Sequence, residues 1–170
     1  MSRFAGVARA TAVLVALASA GSALGCRGGE ARTPNATRTL DERRALEVIR
    51  QTMIREGVRP GPGRDVRLPS DKTLHVDVGV EGRAFGIAYV TAADAAELGG
   101  AIPPRNEKDE RLRLVRGSDG ESRFVVLYQE NYVYDDLVGD AHSQTTIACE
   151  GQLARDVSDF VTHARTQGYK

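Results

Sequence analysis

Apolar residues recur along this chain in two rhythms, one near 3.6 and one of two, and each marks a different kind of element. Thr39-Leu40-Asp41-Glu42 has the form of a helix start, with Thr39 as cap and Glu42 reaching back to it. Leu46, Ile49 and Met53 then share one helical face, Gly57 suits a left-handed exit, and Pro60 and Pro62 prevent continuation. A second helical stripe, Leu153, Val157, Phe160, Val161 and Ala164, predicts a closing helix from about Glu150 to Thr166, with Arg155, Asp156, Asp159 and Arg165 off the stripe.

The rhythm of two governs the middle of the chain. Leu74, Val76, Val78 and Val80 alternate with His75, Asp77 and Gly79, and after Glu81-Gly82 the alternation returns through Phe85, Ile87 and Tyr89, so residues 73 to 90 read as a hairpin. Thr91-Ala92-Ala93-Asp94 opens a short helix that stops at Gly99-Gly100, and Pro103 to Arg111 is a charged loop. Leu112–Val115 and Arg123–Gln129 form a second hairpin around Gly117-Ser118-Asp119-Gly120. Phe124 to Tyr128 is apolar on both faces, as a central strand should be. The expected fold is α+β: two layers, a mainly antiparallel sheet packed with an N-terminal and a C-terminal helix.

The first 38 residues follow neither rhythm. Arg3 and Arg9 precede an apolar run from Ala10 to Ala20, and small residues lead into Ala23-Leu24-Gly25-Cys26. That is the three-part layout of a secretory signal, and the run is about half the 20 apolar residues a membrane-spanning helix needs. The segment resembles the type II signal peptides of bacterial lipoproteins, although Ala23 and Leu24 stand in the reverse of that family's usual order. The resemblance implies that Cys26 receives diacylglycerol through a thioether and becomes the new N-terminus. It further implies a cell-envelope location, and Arg27 in place of Asp after the cysteine implies transfer to the outer membrane. The alternative is ordinary cleavage after Ala18-Ser19-Ala20, giving a periplasmic or secreted protein with a free Cys26. The expected organisation is thus a signal over 1–25, a lipidated Cys26 and tether over 26–38, and one globular α+β domain over 39–170.

Composition narrows the function more than it names it. The 23 basic and 23 acidic residues cancel, and loss of Arg3 and Arg9 with the signal leaves 21 against 23. No clustered basic surface is implied, so nucleic acid is not an expected partner. The phosphate-cradling glycine loop, Cys-x-x-Cys pair, His-Glu-x-x-His helix and Gly-x-Ser-x-Gly elbow are missing, and no motif calls for a cofactor. Asp77 on a hairpin after a helix suggests a metal-dependent nuclease, but residues 84 to 91 lack the acid and lysine such a site needs.

Three places remain where side chains invite chemistry. His75 and Asp77 share a strand face and would orient a ligand, or simply form a polar edge. Cys149 lies just before the closing helix, where amide dipoles would activate a thiol; a small buried thiol is the plainer reading. Glu130 to His142 is dense in carboxylates and carries two tyrosines offering flat contact surfaces. There Asp135, Asp136 and Asp140 would hold calcium weakly, if they do not form a solvated acidic loop. The expected role is non-enzymatic, binding an envelope protein partner or serving a structural part at the membrane. The alternative is a secreted or envelope hydrolase whose site is assembled only in space. The sequence sets no oligomeric state.

Overall fold

The computed structural model describes residues 37–106, 112–135 and 144–166. In chain order the strands are β1 (Arg38–Thr39), β2 (Pro60–Gly61), β3 (Arg64–Arg67), β4 (Thr73–Val76), β5 (Val78–Val80), β6 (Phe85–Val90), β7 (Leu114–Arg116), β8 (Arg123–Tyr128) and β9 (Val133–Tyr134). The helices are α1 (Glu42–Arg55), α2 (Ala92–Leu98) and α3 (Thr146–Thr166). The main sheet runs β2-β5-β6-β8-β7; all its pairs are antiparallel except β6 with β8, which are parallel in the register Phe85↔Arg123 to Val90↔Tyr128. The fold is α+β, and β8 is an interior strand, as its unbroken apolar run implies.

One face of the sheet is covered by α1 and α3. Ala45, Val48, Ile49 and Met53 of α1 and Leu153, Val157, Phe160, Val161 and Ala164 of α3 pack on Phe85, Ile87, Tyr89, Val125 and Leu127. The two helices lie parallel: Arg44 pairs with Glu150 near their N-terminal ends, and Arg165 with Glu56 near their C-terminal ends. The α3 stripe is buried as the spacing requires, although the helix begins a turn earlier than expected, at Thr146, and buries Cys149 as well. The opposite face is covered by the β3–β4 hairpin and α2, which enclose Val66, Leu74, Val76, Leu98 and Ile102 against Ala88, Val90, Phe124 and Val126.

Two local expectations are corrected. The cap of α1 is Asp41, whose carboxylate accepts from the Arg44 N–H at 3.0 Å, not Thr39. Thr39 instead pairs with Val133 in β1–β9, because the segment before the helix is pulled into the sheet end. The exit is as expected: Gly57 has φ +71°, and the Gly57 and Val58 N–H groups return to the Ile54 and Met53 carbonyls.

The run from 74 to 80 is not one strand. It breaks at Asp77, so that β4 pairs with β3 while β5 pairs with β6. Leu74 and Val76 enter the core under the hairpin, whereas Val78 and Val80 enter the core under the helices. Strict alternation cannot place even-numbered residues on both faces; the bend at Asp77 does. Gly86 permits the crossing, since a Cβ there would lie 2.7 Å from Val76 Cγ1 and 2.8 Å from the Val78 carbonyl.

Candidate functional site

Asp77, one half of the His75–Asp77 pair, sits where the β5–β6 ladder ends. Continued, that ladder would bring Val76 opposite Tyr89, but the chain has already turned away. The Asp77 carboxylate takes the vacated place and accepts the Tyr89 N–H at 2.7 Å. Burial raises its pKa above the usual carboxylate value, opposed by that hydrogen bond and by the nearby His75. His75 is exposed and engaged elsewhere: its Nδ1 lies 2.7 Å from Asp65 Oδ1 on β3, directly across the strand pair, and this contact raises the imidazole pKa. His75 and Asp77 therefore form neither a ligand-orienting pair nor one shared polar edge, but two separate arrangements, one closing a backbone gap and one a surface dyad with Asp65.

Cys149 is fully buried in the α1–α3 core, and burial with the charge of Glu150 pushes its thiol up to about 11. Helix dipoles lower a thiol only where solvent can support the thiolate. Here the plainer reading holds, a packed small side chain.

The stretch from Glu130 is divided. Glu130 pairs with Arg105 at 3.1 Å, and Asn131 donates to Asn106 at 3.2 Å. Tyr132 is no contact surface. It is 1% exposed, stacks on Tyr89 with ring centroids 6.0 Å apart, and donates its hydroxyl to Asp156 Oδ2 at 2.7 Å. Burial raises both pKa values, that of Asp156 against the pull of the tyrosine hydrogen bond. Tyr134 is half-buried against the core. Asp135 is buried, and its N–H donates to the Gln144 carbonyl at 2.8 Å. Asp136, Asp140 and His142 lie outside the described residues. Among the described residues no group of three His, Cys, Asp or Glu is placed to hold a metal ion.

Sequence reasoning missed the polar knot at Leu40. The Leu40 carbonyl accepts from the Tyr89 hydroxyl at 2.9 Å and from Gln129 Nε2 at 3.0 Å, and its N–H donates to the Tyr132 carbonyl at 2.8 Å. Leu40, Tyr89 and Tyr132 are all buried, so these bonds form in low dielectric and fix where the chain enters the domain. The tyrosine spacing offered a faint signal, but its partners come from three distant segments.

Comparison with protein-family models, with curated proteins and with solved structures gives no match. Among the described residues no helix is long and apolar enough to cross a membrane.

Proposed function

We propose that this chain is a lipid-anchored protein of a bacterial cell envelope whose α+β domain has a non-enzymatic binding or structural role. The observation that carries the reading is the apolar run Ala10–Ala20 leading through small residues to Gly25-Cys26, followed by a polar stretch of sequence, residues 27 to 38. A diacylglyceryl group with a further acyl chain holds a protein stably, since each buried methylene contributes about 0.8 kcal/mol. Burial of Cys149 supports the same reading, because it removes the best nucleophile of the described residues from solvent.

The alternative, a hydrolase, has the His75–Asp65 dyad in its favour: a carboxylate on Nδ1 is how a catalytic base is oriented. Among the described residues no hydroxyl or thiol hydrogen-bonds to its Nε2, so the dyad lacks a nucleophile.

The test is Cys26→Ser in the expressing bacterium. Wild type should incorporate radiolabelled fatty acid and fractionate with the outer membrane; the variant should take up no label and leave the membrane. A wild type that carries no label and is soluble would overturn the anchor in favour of cleavage near Ala20.

A further inference from the structure

At the edge of the main sheet a groove of about 420 Å³ runs between residues 61–64 on one wall and 79–84 on the other. That volume is in the range of small-ligand sites. Bare backbone shapes it. A Cβ on Gly79 would lie 2.9 Å from the Pro62 carbonyl and 3.0 Å from Arg64 Nη1, so the Arg64 guanidinium rests where a side chain would otherwise stand. Arg64 is half-buried, and among the described residues it has neither an ion pair nor a hydrogen bond from its guanidinium. A partly desolvated cation without a counterion is an arrangement that an anion would complete.

The opposite wall supplies a second cation. Arg83 sits in the β5–β6 turn, held by the Arg83 N–H on the Val80 carbonyl and by Gly82 at φ +68°. Its side chain too is without a partner among the described residues. Glu81, the acid of the groove, lies 3.9 Å from Arg59. Pro62 and Ala84 add small apolar surfaces to the same lining.

We propose that this groove binds a ligand bearing a single carboxylate, with the head between Arg64 and Arg83 and a small apolar body against Pro62 and Ala84. The guanidinium fork matches a planar carboxylate, and Glu81 on the rim disfavours a dianionic phosphate. The site and the point of chain entry lie at opposite ends of β6. The 81–84 turn lies at the amino end of β6 and the Leu40 knot at its carboxyl end, about 17 Å apart at strand rise. The proposal deepens the binding role given above and does not depend on the lipid.

The experiment is an amide-shift titration of the full-length ¹⁵N-labelled protein in micelles. N-acetylalanine is the ligand and its uncharged amide the control, with inorganic phosphate and phosphatidylglycerol vesicles as separate arms. N-acetylalanine should give saturable shifts at Gly61, Gly63, Gly79 and Gly82, and the amide none. Arg64→Gln and Arg83→Gln should each weaken binding about tenfold or more and leave the thermal melt unchanged, since both side chains stand outside the core. Equal binding of the amide, unchanged affinity in Arg64→Gln, tighter binding of phosphate, or shifts with the vesicles alone would each overturn the carboxylate site. Fatty-acid labelling at Cys26 is indifferent to every one of these results, so failure here leaves the anchor standing and failure there leaves the groove.

Discussion

Asp77 can be removed in two ways that the structure separates. Asp77→Ala deletes the acceptor of the Tyr89 N–H, on a residue only 3% exposed. An unsatisfied donor in that setting costs about 1–3 kcal/mol, several degrees of melting temperature in a domain of this size. Asp77→Asn keeps an oxygen on the same branch and removes only the charge. Because burial raises the folded pKa of Asp77, the folded state binds its proton more tightly than the unfolded chain does. Stability from this group therefore falls as pH rises from the ordinary carboxylate value through the folded pKa, and it stays lowered above that. The nearby His75 softens this cost and Glu42 adds to it. Asp77→Asn should then match or exceed wild type at pH 7 and converge with it in acid, while Asp77→Ala is less stable throughout. Circular-dichroism melts across pH, with hydrogen exchange at the Tyr89 amide, measure both effects. Equal losses in the two variants would show that the charge matters and the acceptor does not, and an unprotected Tyr89 amide in wild type would refute the bond itself.

Phe160→Ala removes a 2% exposed ring that meets Phe85 edge-on at 5.9 Å, and should cost roughly 3–5 kcal/mol in denaturant unfolding. A melt within a degree or two of wild type would mean α3 is not docked on the sheet. Cys149 should be silent to a thiol reagent at pH 8 until the protein is unfolded, given its burial and raised pKa; fast reaction of one thiol in the native, unlipidated chain would be assigned to Cys26.

How much of this was legible in the sequence depends on how far apart the deciding contacts lie. The α3 stripe and the β8 core run could be read because a single element repeats its own period. The split at Asp77 could not, since both halves keep the alternation and only the distant Arg64–Arg67 strand explains where β4 goes. That strand was invisible in turn, with one apolar residue, Val66, among Arg64, Asp65 and Arg67. The cap of α1 moved by two residues because Thr39 and Asp41 are both good caps, and the choice was made by pairing with β9 across the fold. The burial of Tyr132 was hidden for a related reason: the residues before it, Gln129, Glu130 and Asn131, are polar, while its partners Tyr89 and Asp156 are not neighbours at all. Arg64 and Arg83 gave no signal among so many arginines; Gly79 against the Arg64 guanidinium and the turn that carries Arg83 emerge only in the fold.

The Leu40 knot also determines how the domain would carry tension. A pull on the residues before Arg38 meets first the two-residue ladder of β1 on β9, and then a carbonyl gripped from β6 by Tyr89 and from the end of β8 by Gln129. Those are the two parallel strands in the interior of the sheet, so the load passes into the sheet and bypasses α1, which follows Leu40 in the chain. Leu40 works as a shear pin: while it holds, the helices stay unloaded, and the first thing to fail under force is the entry segment, with the core still folded behind it.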